Sequence, residues 1–422
     1  MPRASADPDA SRPRSTLRAN LLALAALVVV GGALLLWQQP WRTGDPGAAS
    51  VVFPSDAVRR IDQQLAAMSE TAATGSFVEA AGSGNVAQTV SDALRTVGTA
   101  SLTLRYLDGG QAPSRDDGTT TVTTRVAWAA DGTVLPAGER RSTVVLRFSY
   151  DGERFVLAGA EPHEDDPLPL WLAGPVTVEN GDSSTVVRVG DGAPTDGVVG
   201  LADRAAADVA AALGPDVADR VVVVAPASTR LLARLVGRAP DEAAAIAAVT
   251  TRLDAGSDAA AVIALNPTVF APMDSRARQI VMTHEAVHQL TSVVGSPTED
   301  TMWVVEGFAD WVALREDDAG LEESAARILG EVRAEGPPER LPTRADFADA
   351  ARVTAVYESA WLAIRMLVEQ HGFEAVTEFY GRVTGGEAVS IDAALRETMG
   401  TDLATVAAQW RDYLTYNAST VS

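Results

Sequence analysis

Apolar residues recur at helical spacing from Ser55 to Glu70, where Val58, Ile61, Leu65 and Met68 mark one face, and again around Val86–Val97. The period then shortens to two. The segments Ala100–Leu107, Thr119–Ala129, Arg141–Tyr150 and Arg154–Ala160 alternate and are rich in Thr, Val and aromatics, which predicts strands. Asp108-Gly109, Asp131-Gly132 and Asp151-Gly152 supply turns between them. After the acidic, Pro-containing stretch Glu161–Pro169 the pattern mixes types. Strands are expected near Val176–Val178, Thr185–Val189, Arg220–Ala225 and Ala260–Leu265, with helices at Val198–Leu213 and Thr229–Val236 and a further helical stretch before the last strand. Asn266-Pro267 closes that strand, and from Ser275 onward nearly everything reads helical.

One apolar run stands apart. From Ala19 to Trp37 the only polar residue before the tryptophan is Asn20, close to the ~20 residues a bilayer-spanning helix needs. Arg12, Arg14 and Arg18 precede it, so the positive-inside bias predicts a single-pass cell-membrane protein with a cytoplasmic N-terminus and the remainder extracellular. A cleaved signal peptide is the alternative, with the small residues Ala48-Ala49-Ser50 some way beyond the run. The fold class expected is therefore α+β: a cytoplasmic tail (1–18), a transmembrane signal anchor (19–37), a Gly/Pro/Ala-rich linker (38–53), a helix-plus-antiparallel-sheet domain (54–168), and a domain with a small sheet and a mostly helical C-terminal part (169–422). Helices followed by a meander resemble a cystatin or nuclear-transport-factor-like roll. The resemblance is architectural and implies no function.

Composition narrows the chemistry. The chain has 422 residues, 47% of them apolar, enough for two or three cores. A formal charge of −22 argues against a nucleic-acid partner, whose phosphates demand clustered basic surface. There is no cysteine, which removes thiolate metal sites, iron–sulfur clusters and disulfides, so any metal site here is built from His, Asp and Glu.

His284-Glu285-Ala286-Val287-His288 has that capacity. Residues four apart lie on one helix face, so two imidazoles can converge on one ion with the intervening glutamate beside it. Ile280, Val281 and Val287 give an apolar stripe and predict a helix from about Arg276 to Val293. Three protein ligands and an open position are what catalytic zinc uses. The metzincin continuation is absent, because Thr291 and Val294 stand where that pattern has glycine and histidine. Further on, Trp303-Val304-Val305-Glu306-Gly307-Phe308-Ala309-Asp310 puts two carboxylates four apart on a second helical stretch. One can ligate while the other hydrogen-bonds a ligand imidazole. Glu299 and Asp300 are the fallback third ligands.

H-E-x-x-H followed by E-x-x-x-D resembles the gluzincin pattern. More narrowly, T-H-E-x-x-H and then W-x-x-E-G-F-A-D-W is similar to the bacterial peptidase MA-like family, over about residues 175–380 and most closely over 260–315. The resemblance implies one zinc ion on His284, His288 and Glu306, Glu285 as catalytic base, and Asp310 as the partner of a ligand histidine. Gluzincins commonly supply a Tyr or His to hold an oxyanion. Tyr357, at the start of a helix expected over Ala355–Gln370, is the candidate, against a half-buried core tyrosine. His371 reads as a helix-end residue before Gly372, and His163 as a solvated residue in an acidic run.

The function expected is zinc-dependent hydrolysis of a polypeptide substrate, with strand Ala260–Leu265 available to pair with it. A non-peptide amide substrate stays open. The alternative from another class is a cell-surface ligand-binding protein with a structural or vestigial zinc site. No G-x-M-E-N aminopeptidase signature precedes the metal helix, which tilts the expectation toward endopeptidase action.

Overall fold

The computed structural model describes residues 55–111, 119–151, 153–193, 197–214, 217, 220–253, 260–291, 298–385 and 389–420. Helices α1 (Ser55–Thr71) and α2 (Asn85–Thr96) bury the faces their spacing marks, with Ile61, Leu65 and Met68 inside on the first and Val90, Ala93 and Leu94 on the second. They pack on a four-stranded antiparallel meander, β1 (Thr99–Gln111), β2 (Thr119–Ala130), β3 (Gly138–Tyr150) and β4 (Phe155–Pro162), paired in chain order. Alternation decides which face is inside. Val122, Val126 and Trp128 of β2 and Val144, Leu146 and Phe148 of β3 are buried, whereas Arg125, Arg141 and Arg147 face out.

Asp108-Gly109 does not make the expected turn. Strand β1 runs through it to Gln111, absorbing the pair in register shifts between Tyr106 and Asp108 and between Gly109 and Gln111. Bulges accommodate Asp and Gly in a strand without ending its pairing. At the next junction Asp131 Oδ1 accepts the Thr133 N–H at 2.8 Å, and Gly132 takes φ +92°, as a tight turn requires.

A second, five-stranded mixed sheet has the order β5-β6-β7-β9-β8, where β5 is Val176–Asn180, β6 Ser184–Val189, β7 Val221–Pro226, β8 Ala248–Thr251 and β9 Val262–Leu265. Strands β6, β7 and β9 run parallel, each crossover passing through helices: α3 (Val198–Leu213) between β6 and β7, and α4 (Thr229–Val236) and α5 (Pro240–Ala244) before the antiparallel edge strand β8. Strand β7 is buried on both faces, as its unbroken valines require. Val221, Val223 and Ala225 join the helical core, while Val222 and Val224 join the core of the meander domain. Trp128 meets Trp171 edge to face at 6.3 Å, and Arg234 of α4 donates to Ala160 O of β4 at 2.7 Å, so the meander is tied to the segments around the second sheet by apolar and polar contact.

Beyond the sheet the chain is helical: α6 (Ser275–Leu290), α7 (Met302–Leu314), α8 (Ala326–Glu335), α9 (Val353–His371), α10 (Phe373–Thr384), α11 (Ile391–Met399) and α12 (Leu403–Thr420). Two expectations need correction. Strand β8 was hidden inside a stretch read as helical, because four residues in an alanine-rich run carry almost no periodic signal. The larger correction concerns the membrane. The apolar run 19–37, with its tail and linker, lies outside the described residues, and among the described residues no helix is long and apolar enough to cross a membrane. The described fold is mixed α/β with two sheets and many helices, and the single-pass, membrane-anchored reading is withdrawn.

Candidate metal centre

Helix α6 starts where Asp274 accepts the Ala277 N–H at 2.8 Å, and its residues from Ile280 to Gln289 are all buried. Its moment is not that of a surface helix, so its polar side chains need partners inside the protein. Most have them. Thr283 donates to Asp208 Oδ2 at 3.2 Å. Gln289 works between β7 and the start of β9: its Oε1 accepts the Val222 N–H at 3.2 Å and its Nε2 donates to Ala261 O at 3.0 Å. That amide completes a ladder that pairs only at Val223–Ile263 and Val224–Ala264, and it fixes the end of α6 to the sheet.

Helix α7 brings the carboxylates. Gly307 lets it approach α9 so closely that a Cβ there would overlap the carbonyl of Ala360. Phe308 stacks on Tyr380 at 4.1 Å, and the Tyr380 hydroxyl lies 3.0 Å from Thr291 Oγ1 at the end of α6. These contacts lock α6, α7, α9 and α10 together, with Glu306 and Asp310 facing the two histidines.

His284 Nε2 and His288 Nε2 are 3.0 Å apart. Glu306 Oε2 lies 3.3 Å from the first and 3.6 Å from the second. A tetrahedral ion with bonds of about 2.0–2.1 Å has ligand atoms about 3.3 Å apart, so the spacing fits zinc. His284 Nδ1 lies 2.8 Å from Asp310 Oδ1, which accepts a hydrogen bond from Nδ1–H and so directs Nε2 toward the cluster. His288 has no such protein partner on Nδ1.

Burial and the mutual charges of the cluster set its electrostatics. Burial opposes ionisation of His284, yet Asp310 and Glu306 outweigh it and raise its pKa well above the usual value. Burial also opposes ionisation of Glu306, but the two histidines hold its carboxyl far below the usual range. For Asp310 burial prevails and the pKa is raised. Burial, reinforced by the charges of Glu306, Asp310 and Glu285, raises Tyr357 well above 10, so its hydroxyl keeps its proton. Its ring lies 6.4 Å from that of His284 and meets Phe347 edge to face at 4.9 Å.

Glu285 is fully buried. Its Oε2 accepts from Thr250 Oγ1 at 2.7 Å, and the same hydroxyl lies 2.9 Å from the Glu285 carbonyl. Glu285 Oε1, His288 Nδ1 and the Tyr357 hydroxyl are all buried without a hydrogen-bond partner. Orphaned polar atoms are uncommon in native interiors, and several in one spot mark a place that expects a ligand.

Glu299 and Asp300 lie outside the cluster. Both are exposed, and Glu299 accepts the Ala345 N–H at 3.3 Å. His371 sits at the end of α9 before Gly372, and His163 packs by its backbone against Thr143. Strand β9 cannot take a further strand, because β7 and β8 flank it. The edge strand next to β9 is β8, which carries Thr250. Thr250 carried no signal of its own, because threonine is an ordinary strand residue and β8 itself was not legible.

Solved structures that resemble this chain include two zinc metallopeptidases. One is an M1 zinc metallopeptidase mutant from Deinococcus radiodurans bound to a Tyr-Ser-Ala substrate, at 16% identity over 74% of this chain and 61% of that one, TM-score 0.36. The other is a two-domain M1 zinc metallopeptidase mutant bound to L-arginine, at 14% identity over 75% and 62%, TM-score 0.32. The likeness is coarse, and the chain spans about three fifths of the length of each. No family model and no curated protein matches it.

Proposed function

We propose that this protein is a zinc-dependent peptide hydrolase of gluzincin type, as the similarity of its paired motifs to the bacterial peptidase MA-like family implies. The observation that carries the reading is the meeting of His284 Nε2, His288 Nε2 and Glu306 Oε2 within 4.8 Å of one another, beside a buried Glu285 whose Oε1 has no partner.

Zinc held by those three residues would act as a Lewis acid on a carbonyl and make water a nucleophile near neutral pH. The chain's own groups then have defined tasks. Glu285 Oε1 accepts the proton of the attacking water and delivers it to the departing amine, so that no proton is lost in the cycle. Tyr357, kept protonated, donates a hydrogen bond to the oxyanion that develops on the attacked carbonyl. Asp310 holds the His284 ring in one tautomer. An extended peptide laid along the edge of β8 would lie beside Glu285.

A second reading is favoured by one observation. His284, Glu285, His288 and Glu306 are at most 5% exposed, and closed sites are typical of structural zinc. A structural site has no use for a base. Glu285→Gln separates the two readings: on a hydrolase it leaves zinc bound and lowers kcat on an unfolded-protein substrate by about a hundredfold or more. Hydrolysis by the wild type should be abolished by a chelator and restored by zinc. Near-wild-type turnover of Glu285→Gln, or a zinc-loaded wild type that cleaves nothing, contradicts the proposal.

A further inference from the structure

Thr250 is the third residue of a four-residue edge strand, paired with Ile263 of β9. Its hydroxyl reaches across to α6 and touches Glu285 twice, at the carbonyl and at Oε2. A hydroxyl has one hydrogen, and a carboxylate is a stronger acceptor than an amide carbonyl, so the proton goes to Oε2. A carboxylate held at one oxygen cannot rotate freely, and the other oxygen is thereby aimed. Here the other oxygen is Oε1, buried and without a protein partner.

We infer that Thr250 is a positioning residue: it grips Glu285 by Oε2 and so makes Oε1 the proton-accepting atom. The inference rests on the hydrolase reading above and extends it to a residue outside both sequence motifs. It also ties the base to the sheet edge along which a peptide would lie, so the element that seats the substrate also orients the group acting on it. Strand β8 is itself held firmly. Buried Asn266 donates to Ala243 O at 2.9 Å and to Ile246 O at 2.8 Å, fixing the segment that leads into the strand.

Three variants separate positioning from strand packing. Thr250→Val keeps the branched shape and removes the hydroxyl, whereas Thr250→Ser keeps the hydroxyl and removes the methyl. Positioning predicts that Thr250→Val lowers kcat roughly ten- to a hundred-fold with KM and the zinc dissociation constant unchanged, and that Thr250→Ser restores most of the loss. Packing alone predicts the reverse order. A readout independent of turnover is the infrared carboxylate band of Glu285 in the metal-free protein, assigned by difference against Glu285→Gln. Loss of the hydrogen bond shifts that band in Thr250→Val and leaves it in place in Thr250→Ser. An unshifted band, or Thr250→Val as active as wild type, overturns the inference while the hydrolase reading survives. A band that shifts in Thr250→Val, together with a wild type that cleaves no peptide, overturns the hydrolase reading and leaves the tether standing.

Discussion

Glu358 follows Tyr357 in α9 but faces another way, and its carboxylate accepts the Ile328 N–H at 2.7 Å at the start of α8. Helix N-termini favour anions, but burial to 3% exposure wins here and pushes the Glu358 pKa up to about 8. The folded protein therefore holds a proton that the unfolded chain, near its ordinary 4.5, releases. That contribution to stability is complete below about 4.5 and is lost as pH rises through about 8. In chelator-treated protein, unfolding free energy should fall between pH 5 and 8 by on the order of a few kcal/mol more in wild type than in Glu358→Gln. Equal slopes in urea titrations of the two proteins would contradict this. At this scale the convergence of His284, His288 and Glu306 was legible, because residues four apart share a helix face. Thr250 and Glu358 were not, since each acts through a partner distant in sequence.

Among the elements, the contact of α7 with α9 controls the site. Gly307 separates Glu306 from Asp310 by a short stretch of helix and faces the Ala360 carbonyl and the Ile364 side chain. An added methyl must move α7, and both carboxylates move with it. Gly307→Ala should weaken zinc binding by about ten- to a hundred-fold and cost about 1–3 kcal/mol of stability. Gly330, in α8 with open space around its Cα, is the control, where alanine should stabilise by about 0.4–1 kcal/mol. Chelator competition and urea unfolding read both effects, and wild-type zinc affinity in Gly307→Ala would contradict the account. Helices such as α3 and strands such as β2 and β7 were legible because their periodicity persists over several turns or pairs. Strand β8 and the extension of β1 through Asp108-Gly109 were not. Pairing with neighbours decides such short or bulged segments, and local preference has little say.

For the whole molecule, β7 is shared between two cores, its alternate side chains entering the meander core and the helical core. The meander domain thus braces the sheet from the side opposite α6, and Gln289 and Thr250 connect that sheet to α6. The apolar run at 19–37 lies outside the described residues, among which no helix is long and apolar enough to cross a membrane. The whole account stands on three donors from two helices converging on one ion. The direct test is to saturate metal-free protein with zinc, count the ions per chain, and measure coordination by X-ray absorption in wild type and Glu306→Ala. One tightly held zinc per chain, with two imidazoles at about 2.0–2.1 Å and a carboxylate oxygen that disappears in Glu306→Ala, is the predicted result. No tight zinc, or a coordination sphere unchanged by loss of Glu306, would contradict it.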